Sequence, residues 1–362
     1  MAATTELVAE HPALALQAAI LARPMTPERH MADAIRALAI DATEASRSGH
    51  PGLPMGMADV ATVLFTRFLK FDAADPRWPD RDRFVLSAGH GSMLLYALIY
   101  LTGYAGMTIE DIRNFRQLHS PAAGHLCLSK LTVLYDDNHV SIDGDTSLAF
   151  SDDVAKRFSS YGWATKQVDG HDPQQVAAAL SFAIRSKKPT LILCRTIIGL
   201  GAPHKAGTNA VHGSPLGPEE AADAKAALGW HEPPFAIPPD LLEQWHAVGA
   251  RGAGQRRAWL KRLAHNSMRA EFERAIAGKL PENWHEAVAS LKQGIAETKP
   301  KIASRASSQR CLDALVPATP ELVGGSADLT GSNLTLVKGM GSVAPGNYSG
   351  RYIHFGDRKS VV

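Results

Sequence analysis

Apolar side chains recur at helical spacing from Met31 through Ile35 and Leu38 to Ala42, just behind Thr26 and Pro27. Threonine can accept a backbone N–H at a helix start, and proline suits the first helical position. A helix is therefore expected from Pro27, with Gly49 as its stop. Residues 57–69 are apolar enough for a second helix. Residues 83–104 ("RFVLSAGHGSMLLYALIYLTGY") predict a short strand, a glycine-rich turn and a buried helix. Thr108, with Asp111 three positions on, predicts a capped helix through Leu118. The texture then turns strand-like. Residues 131–135 (LTVLY) and 190–196 (TLILCRT) are expected as buried strands, and "ATKQVDG" as another. Between them, Ser151 is expected to cap the helix "DDVAKRFSSYG", and Asp172 with Pro173 to open the next. Strand and helix thus alternate over 83–196, which predicts an α/β fold with a largely parallel open sheet and helices on both faces.

The pattern changes after residue 196. Residues 198–217 ("IGLGAPHKAGTNAVHGSPLG") form a long glycine-rich loop carrying His204 and His212, and such loops beside strand ends are more often functional than idle. "HEPPFAIPPD" is a proline-rich hinge, followed by helical stretches at 241–277 and 282–292. A second α/β unit then begins: a helix, a Pro-x-x-Pro break, a strand expected at 321–323 and a Gly-Gly-Ser-Ala-Asp turn. The expected division is residues 1–231, a linker over 232–300, and the start of a second α/β domain over 301–356. One helix and one or two strands are too few to close a core.

The totals exclude several classes. Lys and Arg number 38 against 36 Asp and Glu, so a net charge of +2 predicts neither nucleic-acid nor membrane-surface binding. Cys127, Cys194 and Cys311 lie far apart without CxxC pairing, which argues against a disulfide framework or a zinc site. The N-terminal stretch has no basic region before its apolar part, and nothing later resembles a membrane span, so a cytoplasmic protein is expected.

Chemistry concentrates where the 131–135 strand ends. Asp136, Asp137 and Asn138 would sit at its carboxyl end, where open α/β sheets place ligands, and a Ser-Ile-Asp-Gly turn follows. Such an end suits a hard cation that holds phosphate. Sites of that kind usually need a glycine-rich loop from a neighbouring strand as well, and none lies just upstream. Asp136 and Asp137 read as turn or supporting groups, and Asp-Asp-Asn is also ordinary turn chemistry.

Six ordered strings then resemble the transketolase family, thiamine-diphosphate enzymes of sugar-phosphate metabolism in the pentose phosphate pathway and the Calvin cycle. They are "SGHPGLPMGMADV" (48–60), "RFVLSAGHGSMLLYALIYLTGY" (83–104), "LTVLYDDNHVSIDGDTSLAFSDDVAKRFSSYGW" (131–163), "TIIGLGAPHKAGTNAVHGSPLG" (196–217), "GGSADLTGSN" (324–333) and "GRYIHFG" (350–356). The "AVHGSPLG" and "SADLTGSN" strings resemble transketolase more than a deoxyxylulose-phosphate synthase or a pyruvate dehydrogenase component. The resemblance implies a thiamine-diphosphate-binding fold whose reaction transfers a two-carbon ketol unit between sugar phosphates of the xylulose 5-phosphate and ribose 5-phosphate class. It implies that residues 1–231 are a diphosphate-binding domain and 301–356 the start of a pyrimidine-binding domain. His50 would face sugar hydroxyls and His90 the diphosphate, with His212 where cofactor and donor sugar meet. His50 and His212 are the expected catalytic pair, since imidazoles move protons near neutral pH. Asn138 would give a side-chain oxygen, and Val140 its carbonyl, to Mg2+ (or Ca2+ or Mn2+). Arg305 and Ser332 would contact the sugar's phosphate, with Asp328 nearby. Any one of fifteen histidines, taken alone, is more often a surface or core residue than a catalytic one.

The departures are as informative. The resemblance implies a Gly-Pro-Leu-Gly-Gln-Gly loop and a Gly-Asp-Gly-x-x-x-Glu-Gly turn between "SPAAGH" and "LCLSK", the second supplying the cation's third protein ligand. Neither string occurs in the sequence. Only eleven residues separate His119 from Leu131, too few for a βαβ unit. The tripeptide "AGH" fits either side of the lost stretch, so His125 matches either a substrate-binding histidine or a plain loop residue. After "GRYIHFG" the family continues Ile-Arg-Glu-His, whose glutamate activates the thiamine, whereas this chain runs "DRKSVV" as an unrelated tail over 357–362. The expectation is an internally deleted, C-terminally truncated fold with cofactor and cation binding weak or lost and turnover absent or nearly so. The alternative is a non-catalytic remnant or regulatory partner that forms a homodimer or docks onto a full-length homologue.

Overall fold

Thr26 accepts the backbone N–H of Arg29 in the computed structural model, which describes residues 12–115, 131–344 and 346–356. It starts a helix, α2 (Pro27–Ser46), that follows a shorter one, α1 (Pro12–Leu21). Arg47 rather than Gly49 takes the left-handed residue at the helix end, with φ 49°. Gly49 is needed two residues later at φ 140°, where a Cβ would lie 2.6 Å from the Thr43 methyl. α3 (Gly52–Val63) begins at Gly52 instead of Met57 and closes in a π-helical turn, Leu64–Phe68. All twelve of its residues are buried and no side chain caps it, so neither a polar face nor a cap marks its start in the sequence.

Residues 83–87, expected as a strand, form none. A strand exists only where a neighbour completes its ladder, and no described strand pairs with this segment. The buried helix behind it is present as α4 (Met93–Leu101). α5 (Ile109–Arg113) has the expected capping box, Thr108 and Asp111 each bonding the other's backbone N–H.

The main sheet is parallel, in the order β1 (Thr132–Asp136), β5 (Thr190–Arg195), β4 (Ala164–Asp169). Leu134 lies opposite Ile192, and Lys166 on its other side. β5 is central, with five of its six residues buried. β1 is not the buried strand expected: among the described residues it pairs only with β5, and Tyr135 is 36% exposed. Between β1 and β4 lie a hairpin, β2 (Val140–Ser141) and β3 (Gly144–Asp145), and α6 (Val154–Ser160). Asp153, not Ser151, caps α6, because its carboxylate reaches the Lys156 N–H. α7 (Pro173–Arg185), capped by Asp172, lies against β4 and α3. α8 (Pro218–Ala227) and α9 (Pro239–Ala250) follow, and α9 buries Leu241 and Trp245 in the core built by α2, α3 and α4.

The chain divides into two compact units, Met1–Trp259 and Leu260–Val362, and α10 (Ala253–Ala264) runs across the division. The second unit continues with α11 (Arg269–Ile276), α12 (Trp284–Thr298) and α13 (Ser304–Ala318). Its strands are β6 (Gly324–Ser326) and β7 (Tyr352–His354), parallel to each other, with the short α14 (Thr330–Asn333) between them. β6 replaces the strand expected at 321–323, because β7 supplies a ladder only from Gly324 onward. The buried apolar cluster of this unit is small: Val316, Val337, Met340 and Tyr352. No helix of the described residues is long and apolar enough to cross a membrane.

One buried ionic network ties the first unit together. Arg36, on α2, is 1% exposed and donates to Asp33 at 2.7 Å, to Asp59 of α3 at 2.6 Å and to the Met55 carbonyl at 2.9 Å. Asp59 also meets His171 Nδ1 at 2.7 Å, and His171 Nε2 accepts the Ile197 backbone N–H at 2.9 Å. An Nε2 that accepts must be unprotonated, so the ring proton sits on Nδ1 and points at Asp59. Burial alone would raise the Asp59 carboxyl, yet Arg36 and His171 together hold it well below the usual aspartate value. Asp59→Asn should therefore cost about 3 kcal/mol at neutral pH, since it leaves a buried guanidinium under-compensated. A carboxylate with a depressed folded pKa stabilises above its unfolded value and loses that contribution as pH falls through the folded one. The gap between wild type and variant in denaturant titrations should accordingly narrow below the ordinary 3.8 of an aspartate. A constant gap down to acid pH would show that the charge carries no weight.

Candidate functional site

Three histidines from three separate stretches meet in the first unit. His50 lies in the short link between α2 and α3, immediately after the Gly49 corner. His90 sits in a single 3-10 turn, Gly89–Gly91, that leads toward α4. His212 follows another 3-10 turn, Asn209–Val211, in the glycine-rich loop. Their ring centroids are 5.2 Å apart for His50 and His90, 5.4 Å for His90 and His212, and 6.1 Å for His50 and His212. Close backbone approach makes this possible: a Cβ on Gly52 would stand 2.6 Å from the Val211 carbonyl.

The His90 and His212 rings are nearly parallel, 21° apart, an arrangement that two imidazolium cations would oppose. Burial lowers the His212 pKa below the ordinary 6.5, and the charge of His90 lowers it further. His212 Nδ1 is buried without a hydrogen-bond partner among the described residues. His90 is exposed and His50 half-buried, so the cluster has a solvent-facing side. Imidazoles grouped at such a face can accept or pass protons.

The β1 end is organised as a tight turn. Asn138 donates to Asp136 at 2.8 Å, while its side-chain oxygen accepts the Val140 N–H at 2.9 Å. Asp136 also accepts from the Thr196 hydroxyl. Burial raises the Asp136 pKa, against the pull of those two hydrogen bonds. Asp137 is tied to β5 through its N–H to the Cys194 carbonyl and through its own carbonyl to Arg195. His139, in the left-handed region at φ 61°, places Nε2 3.2 Å from the Asp137 carboxylate. Asn209 donates to the Ile142 carbonyl at 3.0 Å, and Val140 packs on the apolar cluster of the glycine-rich loop, so this turn and the His212 loop abut.

These donors make a poor cation site by themselves. Asn138 and Val140 offer two neutral oxygens, and Asn138's is already engaged. Hard divalent ions want several oxygens with carboxylates among them. No group of three or more His, Cys, Asp or Glu that could hold a metal occurs among the described residues.

The remaining expected residues are placed elsewhere. Arg305 is the second residue of α13 and is exposed. Ser332, in α14, is exposed too, as is Asp328 at φ 59°. All three belong to the second unit. His125 and the tail from 357 onward lie outside the described residues. Three residues that grip the His212 loop escape a reading of the sequence. Gln17 bonds the backbone of Gly201 and Ala202, His171 that of Ile197, and Glu220 that of His204 and Lys205.

Comparison with known proteins gives consistent matches. Residues 27–126 and 120–281 match the family model described as "Transketolase, thiamine diphosphate binding domain". A transketolase of Cereibacter sphaeroides is 45% identical over 404 residues, covering 92% of this chain and 61% of that protein. Transketolase 2 of Escherichia coli is 40% identical over 410 residues, with 91% and 61% covered. Among solved structures, a Pichia stipitis transketolase in complex with sedoheptulose-7-phosphate aligns with a TM-score of 0.82 at 33% identity, covering 92% of this chain and 61% of that one. Transketolase from Leishmania mexicana aligns at 0.81 and 32%, covering 93% and 61%. The chain thus spans about three-fifths of the length of the relatives it matches.

The electrostatic coupling can be read directly. In His90→Ala the His212 titration midpoint, followed by imidazole NMR, should rise toward the ordinary histidine value without reaching it, because burial is the larger cause and remains. A midpoint that stays put or falls would contradict the coupling.

Proposed function

Because the chain belongs to the transketolase family, we propose that its His50–His90–His212 face is one wall of a thiamine diphosphate and sugar-phosphate pocket. The parent reaction is the transfer of a two-carbon ketol unit between sugar phosphates. The observation that carries this reading is the convergence of three histidines, from three motifs far apart in the chain, within 6.1 Å of one another. The substrate class is supported by the Pichia stipitis transketolases solved with xylulose-5-phosphate and sedoheptulose-7-phosphate. In this reading His50 and His212 handle protons on the sugar, and His90 faces the diphosphate. Asn138 and Val140 contribute oxygens to a divalent ion; in the second unit, Arg305 and Ser332 suit contact with a phosphate.

We further propose that the wall is incomplete because an internal segment is lost between His119 and Leu131. Two facts support this. The family model matches in two stretches that meet at residues 120–126. The Cereibacter alignment extends over 404 residues, more than the 362 of this chain, so the relative carries residues without counterparts here. The glycine turn that would face Asn138 has no matching string in the sequence. Without it the backbone cannot approach a diphosphate, and the cation lacks an acidic ligand. No catalytic step through the cofactor is therefore assigned to this chain alone.

A second reading, a non-catalytic chain that docks on a full-length homologue, draws on the exposed apolar side chains of Ile142, Leu148 and Tyr161. The proposed loss and the docking role are tested by separate measurements. The purified chain, mixed with thiamine diphosphate, Mg2+, xylulose 5-phosphate and ribose 5-phosphate, should give no turnover above blank. Its thermal midpoint should be unmoved by cofactor and Mg2+, since a ligand that binds the folded state must raise it. Turnover that tracks the purified chain would refute the proposed loss, and co-elution with an added full-length transketolase would favour the docking role.

A further inference from the structure

The α1 helix lies before residue 27, where the match to the family model begins. It buries Leu14, Gln17 and Ile20, one face at helical spacing. Leu14 and Ile20 enter the apolar cluster formed by the glycine-rich loop, which includes Ile198, Leu200 and Val211. Gln17, 5% exposed, does more than pack. Its Nε2 donates to the Ala202 carbonyl at 3.0 Å and its Oε1 accepts the Gly201 N–H at 3.0 Å. One carboxamide thus satisfies a donor and an acceptor on adjacent loop residues, both buried. Arg23, just past the helix, donates to the His171 carbonyl at 2.8 Å and pairs with Asp169. His171 in turn holds the Ile197 N–H at the start of the same loop.

We propose that α1 is an intramolecular clamp on the glycine-rich loop, with Gln17 as the positioning residue that fixes the loop and, through Val211, the place of His212. A buried loop must find partners for its backbone groups, or open to water. At Gly201 the loop runs at φ 107°, with Leu228 packed where a Cβ would be, so it cannot easily refold to pair these groups itself. The clamp holds the His212 side of the histidine cluster from a helix that the family match does not include.

The test needs neither cofactor nor turnover, so its outcome is independent of the transketolase reading. Gln17→Met keeps the volume of the side chain and removes both hydrogen bonds. In the full chain, amide hydrogen exchange over 198–211 should accelerate about tenfold, the scale of one or two lost buried hydrogen bonds. Exchange in α2 and α3 should stay within about twofold of wild type, because local opening need not pass through global unfolding. The His212 imidazole NMR signals should move with the loop. Loop exchange that is unchanged, or that rises equally in α2, would overturn the clamp, as would unshifted His212 signals. Should Gln17→Met yield no folded protein, Leu14→Ala loosens the same helix without touching the amide. The loop must then be the first segment to open, and a loop still protected in that variant would also overturn the proposal.

Discussion

A guanidinium sealed from water has to be answered by the protein, and the answer to Arg36 sets the architecture of the first unit. Its ligands are the carboxylates of Asp33 and Asp59 and the carbonyl of Met55, so α2 and α3 are held at one spacing. Asp59 passes the constraint to His171, and the required tautomer passes it on to the Ile197 N–H. Two helices, the β4–α7 turn and the entry to the glycine-rich loop therefore share one electrostatic chain. Burial makes that chain exacting: in a low dielectric each missing partner costs more than it would at the surface. One carboxylate oxygen, Asp33 Oδ2, stays unpartnered among the described residues, and burial accordingly raises the Asp33 pKa despite the adjacent guanidinium.

The local rules of this fold were legible where they act within a few residues. Thr26, the Thr108–Asp111 pair and Asp172 each cap a helix as their spacing predicted, because capping is settled inside one turn. Pairing across the sheet was not legible in the same way. The 131–135 run looked buried, yet β1 is half exposed at the edge of the sheet formed by the described residues, and 83–87 had the composition of a strand without a described neighbour to bond. α3 hid its start for a related reason: a helix buried on every side has no amphipathic boundary to read.

The site divides along the same line. His50, His90 and His212 could be singled out by the strings around them, but only the packing brings their rings together. Gln17, Arg36 and His171 carry no such signature. A lone glutamine in an apolar helix, or an arginine in an amphipathic one, reads as surface until the partner on the other side is known. Their work is done through backbone groups more than a hundred residues away for Gln17, and by enclosure for Arg36.

Among the described residues, the Gly49 corner, the Gly52 approach, the Arg36–His171 chain and the proposed Gln17 clamp position the histidine cluster. The β1 turn is different, since its own donors satisfy one another and leave little for a cation. The β1 turn is held by its own side chains and by β5 and Thr196, the histidine cluster by close backbone approaches and the Arg36–His171 chain. The convergence of the three histidines therefore rests on packing and buried hydrogen bonds within the first unit.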